Sequence, residues 1–418
     1  MYRRGPIQAT LILSAGAALC LLGSPCAAQE ASSAAGGAPP ITIEPDADAW
    51  RSEAERKNLQ FGTVGALPDS EVDPPTGEFE RTHRFTLWFE NDALGLGQSS
   101  SDRYYTNGVR LSYQSNDVGV ISRWVNGLLE TLPILRAEPE SWGVFFGNNI
   151  YTPEDIDEPR LLPEDRPYVG WSYLGAFLVR GSADPEDIDE DEAEQRPVIF
   201  QEYVELSLGF IGDESGSEDL QREVHDLTGS SAPEGWENQL RDEMSVQLFY
   251  QRAWLLKLGP LLKDTFRYPE VDFVPHVGFA LGTVHTYFAI GGMFRVGINM
   301  GYQFGPPQLI VSAGLGTLDP PDHYYRIYVF TRVQGRIVAH NTFVEGSLLR
   351  ERIRAESING YVEGHDLSME VFVADFEAGL VIEYDGVALS FTNVIRTREF
   401  EEQGETFLFG AVSLSVTF

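Results

Sequence analysis

Asp92 ends the run Phe85-Thr86-Leu87-Trp88-Phe89-Glu90-Asn91-Asp92. After a Gly/Ser-rich stretch the chain returns as Asp102-Arg103-Tyr104-Tyr105-Thr106-Asn107-Gly108-Val109-Arg110-Leu111. A carboxylate among backbone carbonyl oxygens is a donor set for a hard divalent ion. Further on, His225 supplies an imidazole whose ordinary pKa, about 6.5, suits it to take a proton from water. A base for water and a positive centre for a developing oxyanion are what ester hydrolysis requires. The chain has no Gly-x-Ser-x-Gly elbow, so water is the expected nucleophile rather than a serine. Each residue alone has a plainer reading: Asn-Asp and Asn-Gly are common turn formers, and a loop histidine is usually an ordinary surface residue.

The elements that must hold these residues are strands. Val204, Leu206, Leu208 and Phe210 alternate with Tyr203, Glu205, Ser207 and Gly209, and the clearest run puts Phe294, Val296, Ile298, Met300, Tyr302 and Phe304 on one face. A period of two is the mark of a strand with one greasy and one wet side. The pattern predicts twelve strands, at 84–92, 104–115, 141–151, 168–181, 198–211, 243–256, 271–285, 287–304, 323–339, 369–384, 386–398 and 405–418, with 342–349 assigned to a long loop. An even number suits one closed antiparallel barrel, all-β, with both termini in the periplasm and loops 93–103, 152–167 and 212–242 outside the cell. Parity then puts Thr86, Trp88, Glu90 and Asp92 on the lumen side, with Thr106 opposite and Asn91 beside them at the wall. His225 falls in the third outer loop, on a short predicted helix over 219–227. Leu220, Val224 and Leu227 are its expected docking face, and Gln221, His225 and Thr228 the adjoining stripe.

Residues 1–28 read as a signal peptide, with Arg3 and Arg4 before the apolar run Ala9 to Leu22 and small residues at Cys26-Ala27-Ala28. Residues 29–83, rich in Ala, Gly, Ser, Pro and acids, read as a flexible periplasmic arm, and 84–418 as the barrel. Both cysteines fall in the signal segment, which removes a disulfide framework from the mature chain. No later apolar run reaches the length of a membrane helix. The formal charge of −33, from 63 acidic and 30 basic residues, argues against nucleic acid as a partner and for divalent cations. The end of the chain, Leu408 to Phe418, alternates up to a terminal aromatic, as a strand recognised by the barrel-assembly machinery would. Trp142, Tyr151, Tyr168, Trp171, Tyr324 and Tyr325 fit interfacial girdles. A monomer in the outer membrane of a Gram-negative cell is the expected state.

The segments Glu90-Asn91-Asp92 and Tyr105-Thr106-Asn107-Gly108 resemble the lipid A 3′-O-deacylase family of twelve-stranded outer-membrane barrels. The likeness extends over roughly 84–418. Asn149-Ile150-Tyr151-Thr152-Pro153 and Asp165-Arg166-Pro167-Tyr168 match its third and fourth strands, and Gln221-Arg222-Glu223-Val224-His225 with Gly235-Trp236 matches its histidine segment. The resemblance implies a calcium-dependent hydrolase that takes lipid A as substrate and removes an ester-linked acyl chain. It implies roles for Asn91, Asp92, Thr106 and His225, with Asp92 on the metal. One departure stands out: loop 152–167 lacks the lysine that family members can carry, which leaves Arg160 or Arg166 as substitutes, or the metal alone. Two alternatives remain at this stage, an outer-membrane phospholipase and a non-enzymatic channel or structural barrel.

Overall fold

The computed structural model describes residues 83–96, 104–129, 137–181, 199–228, 232–259, 269–306, 325–346 and 367–418. The signal segment 1–28 and the arm up to residue 82 lie outside the described residues. The strands are β1 His83–Asn91, β2 Tyr104–Ser115, β3 Glu138–Thr152, β4 Val169–Gly181, β5 Ile199–Ile211, β6 Glu243–Lys257, β7 Glu270–Gly282, β8 His285–Ile298, β9 Tyr325–Asn341, β10 Phe372–Tyr384, β11 Val387–Arg396 and β12 Phe407–Thr417. Each pairs antiparallel with its sequence neighbours, and β12 returns to β1 with Arg84 opposite Thr417 and Asn91 opposite Gly410. Closure leaves no strand edge to present backbone donors to hydrocarbon.

The period of two holds around the wall. Phe85, Leu111, Phe146, Leu174, Leu208, Ile290, Phe376 and Leu414 are exposed outward, while Trp88, Arg110, Phe145, Tyr173 and Tyr203 are buried inside. An apolar belt of this extent is stable only against lipid. Inside, Arg110 meets Glu205 at 2.6 Å, Arg295 meets Asp272 at 2.8 Å, and Asp375 sits between Arg396 at 2.7 Å and Arg336 at 3.1 Å. These pairs satisfy charges that the low-dielectric interior would otherwise penalise. A lumen cavity lined by Tyr203, His276, Met293 and Arg332 measures about 20 Å³, room for about one water.

Three expectations need correction. The run 294–304 is not one strand: β8 ends at Ile298, Asn299 and Gly301 turn at positive φ, and Met300 and Phe304 fold back into a buried cluster with Met293 and Tyr328. The letters go on alternating there although the backbone has left the strand. Nor do all the strand-end aromatics form girdles, since Tyr151 and Trp171 pack inward against Phe343 and Tyr168 is buried against Trp236. Tyr324 lies outside the described residues. Three α-helices occur among the described residues: α1 Val120–Leu129 in the β2–β3 connection, α2 Ser217–Thr228 after β5, and the single turn α3 Thr342–Glu345 after β9. The last falls where a loop was expected.

Candidate functional site

At the top of β1, Asn91 takes over where strand pairing stops. Its Oδ1 accepts the Ala93 N–H at 2.8 Å, capping a 3-10 turn over Asp92–Leu94, and its Nδ2 donates to the Thr106 carbonyl at 2.8 Å. A carboxamide can do both; a carboxylate has no donor for the second bond. Asp92 Oδ1 also accepts from Ala93 N–H, at 2.8 Å. Thr106 is the extra residue of a β-bulge, since Tyr105 pairs with Tyr151 and Asn107 with Ile150. A bulge re-aims the side chain it frees. The Thr106 hydroxyl meets the Thr152 hydroxyl at 2.7 Å, and Thr152 shares the outward parity of Val144 and Phe146 on β3.

The expected lumen placement of Asp92 and Thr106 is therefore wrong for a local reason. Neither a 3-10 turn nor a bulge has a period of two, and together they carry the loop over the rim to the outside of the barrel. A Cβ on outward-facing Gly410 would lie 2.4 Å from the Leu94 carbonyl, and one on Gly95 would touch the Leu408 side chain at 3.0 Å. Leu96 N–H donates to Asn393 Oδ1 at 3.0 Å. The first outer loop thus lies over the outer face of β12 and β11.

Helix α2 is seated on the same outer face, one hairpin along. Asn148, outward on β3, donates to Ser217 Oγ at 2.7 Å and to Ser172 Oγ at 2.8 Å. Gly170 permits the close approach, because a Cβ there would stand 2.2 Å from Ser215 Oγ and 2.4 Å from Ser217 Cβ. One turn on, Gln221 Oε1 accepts from Trp236 Nε1 at 2.8 Å. Trp236 packs with Ile150 and Tyr168, and Leu220 closes that cluster. His225 follows after another turn. From Ser217 to His225 the helix rises about 12 Å, and from Asn148 to Thr152 the strand rises about 13 Å. Ser217 sits on Asn148, Gln221 bonds the Trp236 that packs on Ile150, and His225 continues the same buried stripe. Asp92, Thr106 and His225 are 3, 2 and 5 % exposed.

The buried stripe of α2 is Ser217, Gln221 and His225, while Leu220 and Val224 are only half-buried. The expected docking face is thus only partly right, since Leu220 does pack on the wall but the wall beneath is polar at Asn148, Ser172 and Thr152, so polar side chains make most of the seam. Asn148, Ser172 and Ser217 escaped the sequence reading, while Thr152 and Trp236 entered it only as members of the family-like segments. The signal was present in the outward positions of β3, where Val144 and Phe146 give way to Asn148 and Thr152.

Neither arginine offered for the missing lysine is placed for that role. Arg160 is exposed and forks onto Glu158 at 2.8 Å through both Nε and Nη2; those hydrogen bonds hold the Glu158 carboxyl down to about 2. Arg166 is fully buried, donates to the Tyr104 carbonyl at 2.9 Å, meets Glu399 at 3.3 Å and lies over the Tyr151 ring. It ties the second outer loop to the lumen side. His276 bonds Gln334, His340 bonds Thr342 and His83 bonds Tyr113, as packing residues do; His323 and His365 lie outside the described residues. Among the described residues no group of three or more His, Cys, Asp or Glu side chains gathers. Asp92 offers a carboxylate beside carbonyl and hydroxyl oxygens, a hard donor set.

The family model for outer membrane protein LpxR matches residues 59–418. Among solved structures, LpxR from Salmonella typhimurium is similar at 17% identity and a TM-score of 0.60, over 80% of this chain and 100% of that one. The translocator domain of the autotransporter NalP from Neisseria meningitidis is more distant, at 8% identity and a TM-score of 0.34, over 89% of this chain and 98% of that one. No curated protein matches the chain.

Proposed function

The chain belongs to the LpxR outer membrane protein family, the lipid A 3′-O-deacylases, and from that premise we propose that it hydrolyses the ester of the 3′ acyloxyacyl chain of lipid A in the seam between α2 and the outer wall, with His225 as base and calcium held at Asp92. The barrel is an outer-membrane hydrolase of that family; the seam, the base and the ion are the reading advanced here. The observation that carries it is where the polar residues sit. Asn148, Thr152 and Thr106 interrupt an otherwise lipid-facing wall at the extracellular rim, where the acyl chains of a lipid lie alongside the barrel and its ester linkages reach the headgroup level. A substrate can enter sideways from the membrane without crossing the packed lumen.

In the proposed reaction His225 takes the proton of a water that attacks the ester carbonyl, and later returns it to the departing sugar oxygen. Burial under α2 keeps bulk water from competing and strengthens the charge interactions made there. Asn91 locks the Asp92 turn to the Thr106 carbonyl, and Thr152 fixes the Thr106 hydroxyl, so both groups are oriented before substrate arrives. Calcium, when bound, would supply positive charge to the oxygen on which charge develops. The experiment is a paired incubation of the purified barrel in mixed micelles with lipid A and with glycerophospholipid, each in calcium and in chelator. The proposal requires acyl release from lipid A in calcium alone. Release from the phospholipid at an equal or greater rate assigns a phospholipase, and release in chelator removes the ion.

A further inference from the structure

At the periplasmic end, β10 and β11 are joined by Asp385 and Gly386 alone, both at positive φ. Short turns of this kind are the rule on that side of outer-membrane barrels. The β2–β3 connection departs from it, spanning residues 116–137 and carrying α1. The chain enters α1 along the outer face of the barrel. Trp142, outward on β3 beside Val144 and Phe146, donates its indole N–H to the Asp117 carbonyl at 2.8 Å. Its ring meets Tyr113 edge-on, Tyr113 meets Phe85, and Phe85 stacks on Phe418. These rings form the aromatic girdle at the periplasmic edge of the lipid-facing belt, so α1 begins where the membrane interface must lie.

On the helix the burial is the reverse of a water-facing one. Asn126 is buried, Val125 is half-buried, and Trp124 and Leu128, one turn apart on one face, are 71 and 59 % exposed, with Arg123 also exposed. A helix with tryptophan and leucine directed away from the protein and a basic residue beside them has the make-up of one lying in a membrane interface. The chain enters this helix beside the apolar belt of β2 and β3, which includes Leu111, Val144 and Phe146.

We infer that α1 is an interfacial anchor that lies in the periplasmic leaflet of the outer membrane, with Trp124 and Leu128 seated among phospholipid chains just below the headgroups. The test uses the full barrel in phospholipid nanodiscs with a nitroxide on one cysteine at a time. The variants are W124C and L128C, with L174C on the lipid-facing wall and E402C in an outer turn as references; each is first checked for the heat-dependent gel shift of a folded barrel. Collision with oxygen against an aqueous nickel complex reports depth. Positions 124 and 128 should fall between the two references, about 5–10 Å below the phosphates. Accessibility to nickel equal to that at 402 would overturn the inference. So would shielding accompanied by spin–spin broadening that disappears on dilution with unlabelled protein, which would assign the face to a second copy of the chain.

Discussion

Gly170→Ala is the smallest change that tests whether α2 must sit flush on the wall. The new methyl would be built 2.4 Å from Ser217 Cβ and 2.2 Å from Ser215 Oγ, whereas carbon atoms in contact stand about 3.5–4.0 Å apart. The start of α2 must retreat by about 1–1.5 Å. The strand ladder beneath is untouched, because the side chain adds only to the outer face of β4. If His225 acts in the seam, that displacement falls on the distance between the base and the ester, where an error of about 1 Å costs on the order of a hundredfold in rate. Gly404→Ala, with nothing within 4 Å of its Cβ position, is the control. The assay is turnover of lipid A in micelles, with folded barrel measured by its heat-dependent gel shift. Wild-type turnover in Gly170→Ala, at equal folded yield, would show that the contact between α2 and the wall does not position the chemistry.

Asp92→Ala should abolish activity at all calcium concentrations, and chelation of the wild type should do the same until calcium, more fully than magnesium, restores it; full activity in excess chelator contradicts this. Thr152→Val leaves the Thr106 hydroxyl without its 2.7 Å partner, a loss of about 0.5–1.5 kcal/mol that becomes up to roughly a tenfold drop in kcat if felt at the transition state. An unchanged kcat would remove Thr106 from the arrangement. Activity should rise with pH, because only the neutral His225 ring accepts a proton; a flat profile denies it that role. Deleting Phe418, whose backbone exchanges hydrogen bonds with His83 and whose ring stacks on Phe85, should lower the yield of inserted, heat-modifiable barrel, and an unchanged yield refutes the importance of that closing contact.

The barrel was legible because lipid on one side and a wet lumen on the other impose a period of two on every strand. Leu206 and Leu208, or Leu389 and Phe391, announce their face wherever the backbone stays extended. The same rule fails where the backbone leaves the strand. Asn299 and Gly301 at positive φ end β8 inside a run whose letters still alternate. The bulge at Thr106 and the 3-10 turn at Asp92 reverse the side on which the candidate residues stand. His225, Asn91, Asp92 and Thr106 were singled out by motif, and the seam in which we propose that they act depends on the tertiary seat of α2. That seat rests on Asn148, Gly170 and Ser172, whose meaning emerges only once a helix is known to cover them. The polar stripe Ser217, Gln221 and His225 was readable as a helix face; that it would be the buried one was not, because hydrophobicity alone assigns burial to Leu220 and Val224.

The most direct test of the account is the mass spectrum of lipid A from cells that express the wild type or His225→Gln, at matched amounts of heat-modifiable barrel. Glutamine can hydrogen-bond a water but cannot take its proton. Loss of the mass of one 3′ acyloxyacyl group is expected with the wild type, and intact lipid A with His225→Gln. Equal loss from both, or none from either, would contradict hydrolysis by His225 in the outer-wall seam.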